Sequence, residues 1–387
     1  MTVRVNKSSF NIREKLSELG RNFGLKGSEL AAAETVQEAR ELVSAGRKNL
    51  IINGDFRINQ RSGTHTLISG YHLDRWKFQK DGLGQYAHSV TSSTDAPAGF
   101  SKSLRLEVTS TETSISSTED LALTQEIEGQ NLQLLAAGTN SAKSFTLSFW
   151  VKSTKPGIYC VSIVADPNTN NKIFSTTYTI NLANVWERKI IKIPPCTLTT
   201  IPNVSSKGMS VRWITLAGSA YTGATGGVLH EWDDYHSSLF AGGHQTQIDT
   251  DGDVWQLTGV QLEAGRNATD FEHRPYGEEL ALCQRYYQKK RIGYGRVAHF
   301  RTDTILVFAA DLPVELRDSA GSITQNSGLN NWAYRDGVSP TISSIQSNNS
   351  SASETTLTVL YSVSSGGDSD ETCFYYGGGS ILIDAEL

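Results

Sequence analysis

Two periods of hydrophobic spacing divide this chain of 387 residues. Over residues 1–48, apolar side chains recur at intervals of three and four. Ile12, Leu16 and Leu19 mark one short helix, with Asn11 and Glu14 placed as a capping box and Gly20 as its stop. Ala32, Val36, Ala39 and Val43 mark a second, which Ser28 can cap and Gly46 can end. Helices this short are marginal in water until an apolar face is buried against a partner. Residues 1–48 are therefore expected to be a helical attachment and oligomerisation segment; the alternative is a helix pair packed on its own β domain.

From Asn49 the period changes to two. Leu104, Leu106 and Val108 alternate with Arg105 and Glu107, and Phe145, Leu147, Phe149 and Val151 with Thr146, Ser148, Trp150 and Lys152. Phe174, Thr176, Tyr178 and Ile180 alternate with Ser175, Thr177 and Thr179. Strands with one buried face read this way. Turn signals at 81–84, 155–157 and 166–171 separate them. With no long helices to cover these faces, two sheets packed on each other are predicted over 49–275. At 276–291 the pattern turns helical: Leu280, Cys283 and Tyr287 share a face, Glu278 and Glu279 lie near the start, and Lys289, Lys290 and Arg291 near the end. A connecting helix is predicted there. Beyond it, 299–316, 339–345, 354–363 and 380–387 read as strands of a smaller β domain over 292–387.

Composition agrees. Thirty-four glycines and only two methionines suit many short strands joined by tight turns, and the length allows more than one core. A net charge of −5 argues against nucleic acid as a partner. Residues 1–48 hold nine basic and six acidic residues, leaving −8 on the remainder. No apolar run approaches the ~20 residues of a membrane span, and the first eleven residues lack the apolar stretch of a signal peptide. Membrane insertion and export by that route are not expected. Cys160, Cys196, Cys283 and Cys373 show no metal spacing.

Five phrases stand out in order: NLIINGDF (49–56), YHLDRW (71–76), FTLSFWVKS (145–153), LTGVQLEAG (257–265) and FEHRPYGEELALCQRYY (271–287), with the ending IDAEL. Together they resemble a domain common in bacteriophage tail fibres and related virion proteins. The resemblance implies a jelly-roll β-sandwich built like a carbohydrate-binding module, with strands at 49–52 and 255–263 lying close together. It also implies a structural virion protein assembled in host cytoplasm under conditions that keep thiols reduced. Such fibres commonly form homotrimers, attach to other tail or virion proteins at the N-terminus, and face a host-surface glycan. A head fibre or capsid decoration protein needs the same parts.

Few residues suggest chemistry. HEWDD (230–234) begins like a zinc-protease helix, but Asp234 stands where the second His belongs, and the surrounding stretch is expected to be a solvated loop. DTDGD (249–253) has calcium-loop oxygens without the closing Glu, and equally suits a turn. Modules of the resembled kind often hold a structural calcium near the first strand. Asn53 and Asp55 would suit it, although Arg57 stands where those modules commonly have Glu. Asp233 and Asp234 could serve a tail-associated glycan hydrolase, but adjacent carboxylates on an extended loop point apart. No catalytic residue, metal or cofactor is assigned, and the chain is read as a non-enzyme. Sugars are held by aromatic faces beside short carboxylates and amides. Trp232, Asp233, Asp234 and Tyr235 offer that set, and Trp332 and Tyr334 a second on the C-terminal domain. The alternative is that Trp232 and Tyr235 cover an open end of the sandwich. Trp76, Trp150 and Trp255 are read as core or sheet-face packing, and Asp74 and Arg75 as fixing strand ends.

Overall fold

The computed structural model describes residues 48–386, except 62, 67–68, 84–86, 167–169, 224–226, 293–295, 303, 319–321, 326–331, 334–340, 346–350, 353–354, 366–371 and 376–378. Ile12, Leu16, Leu19, Ala32, Val36, Ala39 and Val43, expected to serve attachment, and Tyr334, expected to contact a ligand, lie outside the described residues. Asn49–Leu387 is one compact unit.

The first domain is built from β1 (His65–Thr66), β2 (Gly70–Leu73), β3 (Trp76–Asp81), β4 (Ala87–Ser93), β5 (Ser103–Ser110), β6 (Asp120–Glu128), β7 (Phe145–Ser153), β8 (Gly157–Ala165), β9 (Lys172–Ile180), β10 (Glu187–Ile193), β11 (Lys207–Ala217), β12 (Trp232–Asp234) and β13 (Val254–Ala264). They form a six-stranded sheet, β1-β4-β5-β13-β7-β10, and a seven-stranded sheet, β12-β9-β8-β11-β6-β3-β2, antiparallel throughout. Their inner faces share one core. Leu104, Leu106 and Val108 enter it from β5, Phe145, Leu147, Phe149 and Val151 from β7, and Phe174, Tyr178 and Ile180 from β9, on the side the alternation predicted. Trp213 packs on Trp76 at 5.6 Å and on Phe149 at 5.8 Å between ring centroids. Such pairs add ~0.5–1.5 kcal/mol each beyond the area they bury.

The chain start is held beside β13 by side chains and not by a ladder. Residues 49–52 form no strand. Instead the Leu50 amide donates to the Leu262 carbonyl (2.8 Å), while Asn49 accepts from the Leu262 amide (3.0 Å) and donates to the Val260 carbonyl (3.0 Å). Gly54 presses against that carbonyl, where a Cβ would fall 2.2 Å from the oxygen.

Helix α2 spans Tyr276–Gln284, after the single turn α1 (Ser219–Thr222). It is shorter than the 276–291 expected. From Tyr287 the chain runs as a strand, because its backbone pairs with the last strand and Gln288 is buried there. The second domain comprises β14 (Tyr287–Ile292), β15 (Val297–Thr302), β16 (Ile305–Asp311), β17 (Ser322–Gln325), β18 (Trp332–Ala333), β19 (Thr341–Ile345), β20 (Ser351–Ala352), β21 (Thr356–Ser365), β22 (Thr372–Tyr375) and β23 (Gly379–Asp384). A sheet β14-β23-β17 and a larger one built on β22, β15, β16 and β21 close over one core that includes Phe308, Tyr361, Ile381 and Ile383. All four cysteines are buried thiols outside any disulfide.

Candidate functional site

Four of the five phrases and the DAEL ending meet in one buried polar seam. Arg75, with φ +70°, lies at its centre. It donates to the Glu386 carboxylate and to the Glu126 carbonyl, and its guanidinium lies 3.5 Å from the centroid of the Tyr286 ring. Burial alone would lower the Arg75 pKa, but Glu386 and the flanking tyrosines raise it. Arg61 reaches both Asp384 (3.1 Å) and Glu386 (3.2 Å) and covers the Tyr287 ring at 3.9 Å. Asp74 accepts from the amide (2.7 Å) and side chain (2.6 Å) of Gln60. Arg274 donates to the carbonyls of Ile51 and Asn49 and pairs with Glu279. Trp76 donates to the Asn53 carbonyl at 2.9 Å. Asp74 and Arg75 thus fix strand ends, and Arg75 also ties the sandwich to the end of the second domain. Charged groups this buried persist only when paired and hydrogen-bonded.

The seam also occupies the first proposed calcium position. Asn53 spends its side chain on the Ile58 amide (3.0 Å) and on the carbonyls of Ile58 (2.9 Å) and Asp74 (3.0 Å), while Asp55 pairs with Arg57. In the second, the Lys155 ammonium lies 2.6 Å from both Asp249 and Asp253, and Gly252 takes φ +84° in a turn closed by the Asp253 amide on the Thr250 carbonyl. A cation is already present there, covalently part of the chain. Among the described residues no three His, Cys, Asp or Glu side chains form a metal-binding group.

The loop expected to be solvated has two parts: His230, Glu231 and Asp234–Ser237 are exposed, whereas Leu239–Gly242 are buried and act as a cover. On the outer face of the seven-stranded sheet, Phe240 and Ala241 pack on Ala122, Cys160 and Ile214, and Leu239 on Val164 and Ile173. The loop's apolar positions, Leu229, Leu239 and Phe240, carried the signal. His230 contacts the Thr176 hydroxyl through Nδ1 (2.8 Å). His244 is buried, with the Cys160 amide directed at its Nδ1, and burial holds its pKa down to about 4.

Within this loop, Trp232 packs between Phe145 (6.2 Å) and Phe174 (5.9 Å) at the edge of the core and donates to the Pro194 carbonyl (2.8 Å). It plugs the gap between the sheets. Asp233 accepts from the Val228 amide at 3.1 Å, and Asp234 pairs with Lys172. Tyr235, 44 % exposed, is the one of the four with an open ring. Trp332 is enclosed by Phe308, Tyr361 and Tyr375 at 5.0–5.9 Å and presents no face to a ligand.

The outer face of the six-stranded sheet differs. Trp186, Arg188 and Ile190 point outward in alternation, while Ile191 and Ile193 enter the core. Trp150 stands opposite Arg188. Lys152 pairs with Asp95, which also accepts from the Trp186 indole (3.2 Å). A β-bulge places Gly259 at φ +61°, and its missing side chain lets Phe100 and Trp150 lie over the sheet: a Cβ would fall 2.6 Å and 3.1 Å from them. Phe100 meets Phe271 edge-on (5.1 Å) and His273 at a tilt (5.3 Å). Trp150 was expected to pack on a sheet face and does so half-buried; Trp186, outside every phrase, was not singled out. A shallow cavity of about 380 Å³ between Gly138, Asn170 and Thr197–Pro202 has neither an aromatic nor a charged lining.

No protein-family profile matches the chain. No curated protein matches it either. Solved structures similar to it include the enzymatically active domain of bacteriophage CBA120 tailspike protein 4, at 15% identity and TM-score 0.33, covering 56% of this chain and 21% of that one. Another is TmCBM61 in complex with β-1,4-galactotriose, at 12% identity and TM-score 0.27, covering 57% and 100%. A third is the family 11 carbohydrate-binding module of Lic26A-Cel5E from Clostridium thermocellum, at 11% and 0.28, covering 53% and 97%. The chain thus spans about a fifth of the tailspike domain's length. Likenesses at these scores carry no argument, and the sandwich rests on the strand pairing itself.

Proposed function

We propose that this protein is a non-enzymatic structural component of a bacteriophage virion, a tail fibre that attaches through residues 1–48, assembles as a homotrimer and turns its β domains to a glycan on the host surface. The observation that carries this reading is the seam. Four of the five phrases by which the chain resembles fibre proteins are spent on holding the chain start and joining two β domains into one unit. The candidate acid pair fits hydrolysis poorly: Asp234 is neutralised by Lys172 and Asp233 is committed to backbone amides. A protein that must present a surface on a particle requires this economy.

The test is particle composition. Antibody labelling of intact virions should mark the tail, and a chain lacking Met1–Lys48 should fold but fail to enter particles. Labelling of the capsid would move the protein to a head fibre; incorporation of the truncated chain would end the anchor assignment.

A further inference from the structure

Resting on that reading, the geometry points to the outer face of the six-stranded sheet, and not the 232–235 loop, as the glycan-contact surface, with a neutral sugar chain lying flat across Trp186, Trp150 and Phe100. Three features converge. The rings are half-buried: held in place by the sheet, yet each keeps a face outside the core. Aromatic side chains fixed this way give contact area at low entropy cost. The row crosses β10, β7 and β13, and neighbouring strands lie ~4.8 Å apart, so it extends over more than one sugar ring. Polar groups for hydroxyls lie along it: the Asp95 carboxylate, the Lys152 ammonium and the exposed Arg188 guanidinium, which donates to the Thr269 carbonyl at 2.7 Å.

Charge selects the ligand. Lys152 is neutralised by Asp95, and neighbouring Arg105 is paired with Glu107 at 3.0 Å. That leaves Arg188 and Lys192 as the exposed basic groups without a carboxylate partner shown on this face, fewer than the clustered surplus a polyanion needs. The contrast with the opposite face supports the assignment: there Leu239, Phe240 and Ala241 pack over the sheet, whereas here Ile190 remains 50% exposed. Gly259 belongs to the same device, because any side chain there would displace Phe100 and Trp150.

The test uses the full chain on an array of immobilised glucan, galactan, mannan and xylan hexasaccharides, with a parallel set of uronic-acid oligosaccharides. Binding to neutral members is expected, reduced about tenfold or more in Trp150→Ala/Trp186→Ala and retained in Trp232→Ala/Tyr235→Ala, a tenfold loss corresponding to ~1.4 kcal/mol. Trp186→Phe, which keeps a flat ring, should recover most of the loss, and Arg188→Ala should weaken binding without touching the core. Undiminished binding by the double mutant, preference for the acidic set, or no binding to any neutral member would each overturn the inference. Tail labelling of virions would stand apart from all three, so the virion reading survives or fails on its own experiment.

Discussion

The seam around Arg75 and the outer face around Trp186 use similar residues to opposite ends. Both combine aromatic rings with arginine, lysine and carboxylates. In the seam, Arg75, Glu386 and Tyr286 are almost wholly enclosed and every contact is internal. On the outer face, Trp186 and Arg188 keep open surface and are tied to the sheet by Asp95, Lys152 and Thr269. The difference lies in water. A buried charge must have its partner or the fold fails, whereas an exposed one contributes little to stability and is free to meet a ligand.

Breaking the seam should have the largest effect. Arg75→Ala leaves Glu386 buried without its main partner and is expected to cost ~3–5 kcal/mol, read as a fall in the urea midpoint. Gly54→Ala forces a methyl against the Val260 carbonyl, a backbone atom that cannot swing away, and should cost ~1–3 kcal/mol. Asp120 sharpens the contrast in the other direction. It is buried, its Oδ2 has no hydrogen-bond partner among the described residues, and burial together with Asp81 raises its pKa to about 7, against the pull of Arg212. Its folded pKa is raised, so its cost is absent below about pH 4 and complete above pH 7. Asp120→Asn should therefore stabilise the protein by ~1–2 kcal/mol at pH 8, with the gain fading as pH falls through that window; a destabilised variant at pH 8 would show the carboxylate to be paired. Ile190→Ser, on the open face, should change stability by less than ~0.5 kcal/mol.

The alternation at Phe145–Ser153 and Lys172–Ile180 was enough to place the core side of both strands, because a half-buried sheet imposes a period of two on the sequence. The family phrases gave the sandwich, but not what they do. Asn49, Arg75, Arg274 and Glu386 are far apart in the chain, and pairings at separations above 200 residues leave no local pattern. For the same reason the end of helix α2 was misplaced: Tyr287–Arg291 has a helical look, and only the distant strand β23 makes it extended. The site was the least legible part. Trp332 reads as exposed because polar residues surround it, and for Trp232 the sequence leaves a ligand contact and the covering of an open end as alternatives; rings from other strands cover both. Nothing near Trp186 in the sequence announces that β10 lies at a sheet edge with its outer side open.

Urea denaturation of the wild type, Arg75→Ala and Trp186→Ala in parallel tests the division between seam and surface most directly. The midpoint should fall by the equivalent of ~3–5 kcal/mol in Arg75→Ala and move by less than ~1 kcal/mol in Trp186→Ala. Equal losses in the two variants, or the larger loss in Trp186→Ala, would contradict it.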